Sequence, residues 1–366
     1  MKAGIAGGNS CFDTVLEVAG SFMKKININQ LLIIIFFICL CVFVVSASFN
    51  KPRVLVLQSY FTDYSWTNDV DEGISKILDK KPYTVRRHYM DTKNHPEEDF
   101  KVKAGNTARK VIDEWKPDII LAVDDDAQQY AAKYYINDPR MKIIFAGING
   151  EIAPYGYDQA NNVTGIVERK QLQSVKDFYM QIHESQGKTG KIRLITIGDR
   201  SGSVLEDEHF IETFDWDPVV LVDSFNVGTF DEWQKAIIEA EGRADFLMLT
   251  NYRKIARSED DKKLVPPEEI IDWTMENSRV PGVGTNGFNV EDGYMMALGV
   301  SPYEQGEVAA GMAVDIIDKG ISPKDITVQE TRQFIVLIRR SGLQKYNIVV
   351  PKIYEAFARA TNNYFE

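Results

Sequence analysis

Cysteine is nearly absent. The 366 residues hold three, Cys11, Cys39 and Cys41, and all precede Ser48. The chain beyond that point can form no disulfide, no thiolate metal site and no cysteine nucleophile. Histidine is also scarce. His88, His95, His183 and His209 are scattered without ligand spacing, so no histidine-built metal site, no Ser-His-Asp arrangement and no catalytic residue is expected from them. Positive charge is in deficit: 42 Lys and Arg against 53 Asp and Glu leave −11. Nucleic acid is not an expected partner, because phosphate contact needs a basic face. The acidic excess serves solubility. Internal repeats and low-complexity tracts are lacking.

What the sequence does have begins with a targeting segment. Met23-Lys24-Lys25 is a basic start, Leu31 to Val45 is an apolar run, and Val45-Ser46-Ala47 offers small residues before Ser48. This is the pattern of a secretory signal. Met23 is read as the true start, residues 1–22 as an upstream extension, and 23–47 as a signal peptide or a retained membrane anchor. Neither Cys39 nor Cys41 has a lipoprotein context. The domain beyond is expected outside the cytoplasm, in the periplasm or its equivalent.

The rest of the chain alternates strand and helix patterns. Its most telling stretch is Lys116-Pro-Asp-Ile-Ile-Leu-Ala-Val-Asp-Asp-Asp-Ala127. Five apolar residues, Ile119 to Val123, read as a strand buried on both faces of a parallel sheet. They run straight into Asp124, Asp125 and Asp126. Strands are also expected at Arg53–Gln58, Tyr83–Tyr89 and Met141–Ala146. Helices at Trp66–Leu78, Glu97–Trp115 and Ala127–Tyr135 separate them. A looser segment, Glu151–Asn162, and a short strand to Val167 lead to a second alternation. Its strands are expected at Ile192–Ile197, Val219–Phe225, Ala244–Leu249, Tyr294–Val300 and Gln333–Ile338. Its helices are expected at Gln171–His183, Phe230–Ala240, Pro266–Asn277, Tyr303–Lys319 and Lys352–Ala360. Such βα alternation implies α/β lobes with parallel sheets.

Two motifs mislead. Gly282-Val-Gly-Thr-Asn-Gly287 matches a dinucleotide fingerprint by letters, but no clear helix follows, so it reads as a cleft loop. Gly187-Lys188-Thr189 lacks the earlier glycine of a phosphate loop and reads as a turn. No cofactor is expected.

Pro117-Asp-Ile-Ile-Leu-Ala-Val-Asp-Asp-Asp-Ala127, Lys142-Ile-Ile-Phe-Ala-Gly-Ile-Asn149, Asn162-Val-Thr-Gly165 and Ala297-Leu-Gly-Val-Ser-Pro-Tyr-Glu-Gln-Gly306 occur in a characteristic order. In that order the chain from Lys51 to Glu366 resembles the substrate-binding proteins of ABC transporters, including tryptophan-binding members. The resemblance implies a type I periplasmic-binding fold, two Rossmann-like lobes joined by a three-crossing hinge. Lobe 1 would comprise 50–165 plus 284–320, lobe 2 would comprise 166–283 plus 321–366, and the crossings would fall near Gly165, Gly284 and Ile321. It also implies a non-enzymatic, monomeric binder that closes on a small molecule and signals to an ABC permease or a membrane sensor kinase. The three aspartates depart from the small hydroxylated residues usual at that place. An acidic version is similar to sensory input domains.

Ligands of open α/β sheets sit at the carboxyl ends of strands. The candidate site is therefore Ser59, Tyr60 and Trp66 after the first strand, Asp124 and Asp125 after the third, and Asn149 after the fourth. From the second lobe it takes Arg200, Asn251, Tyr252 and Asn286. Carboxylates suit an amino group, and Arg200 could clamp a carboxylate, so an amino-acid-like zwitterion is the expected ligand. Asp126 is read as a helix cap. The alternative is an exported metal-dependent phosphatase-like enzyme, with Asp124 and Asp126 as an Asp-x-Asp pair.

Overall fold

The structure is a computed structural model and describes residues 27–49 and 51–366. The expectations for residues 1–26 lie outside the described residues. The chain divides into two units, Met1–Pro52 and Arg53–Glu366. In the first, α1 (Ile28–Phe49) is helical and exposes Ile, Leu, Phe and Val side chains on every side. Among the described residues no helix is long and apolar enough to cross a membrane.

The second unit opens with β1 (Arg53–Gln58), α2 (Ser65–Leu78), β2 (Thr84–Tyr89), α3 (Glu98–Trp115), β3 (Ile119–Val123), α4 (Asp124–Tyr130), β4 (Lys142–Ile148) and β5 (Val163–Val167). All five residues of β3 are buried. It lies in parallel register between β1, where Val54 faces Ile119, and β4, where Ile120 faces Ile143. Alternate side chains of these strands go to opposite faces. Leu55, Leu57, Ile120 and Ala122 meet Ala108 and Ile112 of α3 on one side. Val54, Val56, Leu121 and Val123 meet Val70 and Ile74 of α2 on the other. That double burial is why β3 reads as an unbroken apolar run.

The chain continues through α5 (Leu172–Ser185), β6 (Ile192–Asp199), α6 (Gly202–Thr213), β7 (Val219–Val227), α7 (Phe230–Glu239), β8 (Phe246–Leu249), α8 (Pro267–Asn277), β9 (Gly282–Gly284), α9 (Phe288–Glu291) and β10 (Met296–Val300). It then forms α10 (Pro302–Lys319), β11 (Gln329–Glu330), β12 (Phe334–Arg339), α11 (Arg340–Lys345), α12 (Lys352–Ala360) and β13 (Tyr364–Phe365). The first sheet has the order β11-β5-β4-β3-β1-β2, and the second β13-β12-β10-β9-β8-β6-β7. The first is parallel throughout; in the second, β12 runs antiparallel to β10. The expected two-lobed α/β architecture is what forms. Around the second sheet, two of the large buried side chains anchor their polar tips, as burial favours. Trp233 Nε1 donates to Thr274 Oγ1 at 2.8 Å, and the Tyr179 hydroxyl donates to the Leu247 carbonyl at 2.6 Å.

The lobe boundaries differ from expectation. Met296–Val300 pairs within the second sheet, so the crossing falls at Ser301, not near Gly284. Gln329–Glu330 pairs with β5 in the first sheet, so the last crossing falls at Thr331, not near Ile321. The first follows β5, near Glu168 rather than at Gly165. One side chain knots all three. Gln305, fully buried at the start of α10, accepts from the Gly147 amide at 2.8 Å. Its Nε2 donates to Thr331 Oγ1 at 2.7 Å, and Thr331 Oγ1 donates in turn to the Val167 carbonyl at 3.1 Å. Beside it, Glu304 Oε2 accepts the amides of Arg332 and Gln333 at 3.0 and 2.8 Å.

Helix α10 returns to lobe 1 and packs on α2. Glycines at the contact make this possible: a Cβ on Gly73 would collide with the Tyr303 backbone, and one on Gly306 with the Val70 carbonyl. Overpacking of this kind costs about 1–3 kcal/mol. Gly306→Val should therefore lower the thermal midpoint by about 3–10 °C in a melting experiment. A midpoint unchanged to within about 1 °C would mean that the two helices can part freely.

Candidate functional site

The carboxyl ends of the strands of both lobes face one cleft of about 770 Å³, counting its open mouth. Lobe 1 contributes Tyr60, Tyr64, Trp66, Lys93, Asp124 and Asn149. The crossings contribute Glu168 and Lys170, and lobe 2 contributes Asp207, Asn251, Asn286 and Phe288. Of the residues expected from the sequence, Tyr60, Trp66, Asp124, Asn149, Asn251 and Asn286 line it.

Four expected residues do not. Ser59 is fully buried beneath it. Its Oγ donates to the Val123 carbonyl at 2.6 Å and accepts from the Ala127 amide at 2.7 Å, so it ties β3 to the first turn of α4. Tyr252 is also fully buried; its hydroxyl donates to Asp292 Oδ2 at 2.8 Å and its ring packs on Trp233 and Phe288. Arg200 lies outside the cleft, donating to the Asn226 carbonyl at 3.0 Å and to Glu232 at 3.2 Å. Asp125 turns away too: its Oδ1 accepts from the Tyr155 hydroxyl at 2.8 Å, and its Oδ2 faces the Asn149 amide at 3.5 Å.

The aspartates do not form a strand-end loop. They are the first turn of α4, which runs Asp124–Tyr130 and gives way to a 3₁₀ turn at Ala132–Tyr135. Negative charge is favoured at a helix N-terminus. Asp126 pairs with Lys101 at 3.0 Å. Asp124 has a left-handed backbone, φ 64°, and is 3% exposed. Its Oδ1 sits over Gly147, where a Cβ would come within 2.9 Å of it. Gly147 is itself at φ 68°, so glycine is required there twice over. Asp124 Oδ2 is buried with no hydrogen-bond partner, and so is Trp66 Nε1 beside it.

The phosphatase reading needs Asp124 and Asp126 together. The helical turn separates them, sending Asp126 to Lys101, and among the described residues no group of His, Cys, Asp or Glu is placed to hold a metal ion.

The sequence reading missed the charged middle of the cleft. Lys170 Nζ lies 2.9 Å from Glu168 Oε1, 3.5 Å from Asp207 Oδ2 and 3.0 Å from Asn286 Oδ1. The three charged side chains are 6, 7 and 8% exposed. Burial alone pushes the Lys170 ammonium down, but Asp207 and Glu168 outweigh it and hold the pKa above its ordinary value. Burial raises Asp207 to about 6, against the pull of Lys170. Asp124 is raised well above the carboxylate range by burial, then by Glu168 and Asp125, with Lys93 and Trp66 opposing. Burial likewise raises Asp125 to about 7. Lys93 rests its ammonium over the Tyr60 and Tyr64 rings, 4.7 and 5.3 Å from their centres, a cation–π contact.

A family model described as ABC transporter substrate binding protein matches residues 252–361. No curated protein sequence matches the chain. Among solved structures, a conserved domain protein of Vibrio cholerae aligns at 15% identity and TM-score 0.61, over 87% of this chain and 100% of its own. The ligand-free, open structure of CD0873, a substrate binding protein from Clostridium difficile, aligns at 15% and 0.61, over 82% and 96%. An ABC domain in complex with L-Trp from Streptococcus pneumoniae aligns at 14% and 0.59, over 83% and 98%. The fold is that of the periplasmic binding proteins. At these identities the likeness carries the fold alone. The matching family and the Clostridium difficile protein are substrate binders, not enzymes.

Two expectations follow from the buried charges. Removing Lys170 would leave Glu168 and Asp207 unpaired, a loss of about 3–5 kcal/mol. Lys170→Met should thus be strongly destabilised in chemical denaturation, and a cost under about 1 kcal/mol would show the cluster to be hydrated. The second concerns pH. Asp124, Asp125 and Asp207 hold protons more tightly in the folded state than at the ~3.9 of an unfolded aspartate. Between about pH 4 and 7 the folded state therefore binds more protons, and stability falls as pH rises through that window. The ligand-free protein should melt several degrees higher near pH 5 than near pH 7. Asp124→Asn should flatten that slope and raise the midpoint near pH 7. Parallel slopes for the two proteins would mean that Asp124 titrates normally.

Proposed function

We propose that this chain is an extracytoplasmic solute-binding protein. It captures a small ligand bearing an amino group between its lobes and presents it, by hinge closure, to a membrane partner, either an ABC permease or a sensor kinase. The observation that carries this reading is the cleft itself. Its walls come from both lobes, and its floor holds two of the hinge residues, Glu168 and Lys170. A ligand that touches both walls gains contacts only in the closed arrangement, and that differential affinity shifts the population toward closure.

The family match over 252–361 supports the transporter connection. The L-Trp complex of the Streptococcus pneumoniae neighbour favours an amino-acid-like solute. Asp124 supplies the partner for an amino group. The carboxylate clamp first assigned to Arg200 is missing, because that guanidinium is held by Glu232. Export by the N-terminal segment and action as a monomer belong to the same reading.

Closure has a direct readout. Hydrogen–deuterium exchange of the full-length chain in detergent, with and without a stabilising amino-bearing solute, should show protection of residues 60–66 and 124–130 in lobe 1. It should show protection of residues 251 and 286–291 in lobe 2 as well. Protection confined to one lobe would reject hinge closure.

A further inference from the structure

The cleft's charges do not balance. Five carboxylates line it, Asp69, Asp124, Glu168, Asp207 and Glu291, against two ammonium groups, Lys93 and Lys170. Lys170 is consumed by Glu168, Asp207 and Asn286. Among the described residues no guanidinium lines the cleft: Arg200 is on Glu232, and Arg253 is forked on Asp292 at 2.8 and 3.0 Å. What remains at the centre is Asp124, 3% exposed, whose Oδ2 makes no hydrogen bond of ordinary geometry, although the Trp66 indole lies near enough to favour its ionisation. A buried carboxylate without a partner is costly, so it takes up a proton unless a cation or a strong donor meets it. Around it stand aromatic faces, Tyr60, Trp66 and Phe288, with Ile335 and Val300 deeper in lobe 2.

Resting on the solute-binding reading, we infer that the site takes a primary amine that carries no carboxylate. Its ammonium sits on Asp124 Oδ2, and its aromatic or apolar body lies among Tyr60, Trp66 and Phe288. A zwitterion would carry its own negative charge into a cleft already rich in carboxylates. A bare ammonium takes the place of the Asp124 proton, leaves the pair neutral and adds no negative charge. Trp66 Nε1, another buried atom of the cleft lining without a hydrogen bond, is a donor, so it favours an amine whose body bears a hydroxyl or carbonyl oxygen. The groups facing Asp124 are Glu168 and Asp125, which oppose its ionisation, Lys93 and Trp66, which favour it, and Tyr60. Amine capture then expels a proton from Asp124, and affinity rises with pH until that carboxyl is ionised in the empty site.

The test is calorimetry and thermal shift on the full-length chain in detergent. The probes are tyramine, tryptamine and phenethylamine, the matching L-tyrosine, L-tryptophan and L-phenylalanine, the neutral alcohol tyrosol, and ribose. At least one amine should bind at least tenfold more tightly than its amino acid. Asp124→Asn should weaken that amine by about 10- to 100-fold, the range for a hydrogen bond to a charged group, while melting no lower than wild type near pH 7. Tighter binding of an amino acid would assign Lys93 to its carboxylate and overturn the amine class, leaving the solute-binding reading intact. Binding of tyrosol or ribose alone would do the same. Silence from every probe would overturn the amine class for these bodies, and the broader reading would fall only if a wide solute panel were equally silent. Unchanged amine affinity in Asp124→Asn would remove Asp124 from the site.

Discussion

Everything in the second unit hangs on one glutamine. Gln305 joins the end of β4, the end of β5 and the last crossing through a single buried amide. A primary amide suits this place because it donates and accepts at one tip. The three crossings are fastened together there, in a narrow waist between the two sheets. The strand ends of both lobes open toward that waist. The cleft is thus a by-product of how the chain is threaded, and much of its lining comes from the segments that follow the strands.

The same threading decides which charges can be buried. Glu168 and Lys170 belong to the first crossing, and Asp207 and Asn286 to lobe 2. Lys170 gathers acceptors from both into one cluster. Asp124 has no such arrangement. Its backbone is left-handed and its carboxyl is buried with Oδ2 unpartnered, and a cost of this kind is a usual companion of functional sites. One carboxylate cluster is paired and Asp124 is not, though the two lie in the same cleft.

Much of this was legible in the sequence. The unbroken run Ile119–Val123 announced a doubly covered parallel strand, and the βα alternation announced the two lobes. The strand-end rule then pointed to Asp124, Asn149 and Asn251, and the reading of 282–287 as a cleft loop pointed to Asn286. What it could not supply was side-chain direction. Ser59, Arg200 and Tyr252 also follow strands, but their partners Val123, Glu232 and Asp292 lie far along the chain or in another element, and those partners turn them away. Asp125 was lost for a related reason: the turn there is helical, so neighbouring aspartates diverge by about 100° around an axis rather than alternating. Lys93, Glu168 and Lys170 lie in connecting segments with no periodic signature. Asp207 lies on α6, whose buried residues are only Val204, Asp207 and Ile211, too sparse a stripe to mark a helix. The lobe boundaries slipped because β9 and β11 are three and two residues long, below what pattern alone can register.

The left-handed backbone of Asp124 has an evolutionary corollary. At φ 64° an ordinary side chain is strained by about 1–2 kcal/mol, whereas glycine, asparagine and aspartate are tolerated. Drift at this position is therefore confined to a three-letter alphabet: charged, neutral but polar, or empty. A lineage carrying this backbone could switch the electrical character of its pocket in a single codon step between Asp and Asn or Gly, and it could scarcely make any other change there. Ligand charge would be the property that diversifies first, with pocket shape following through the aromatic residues opposite.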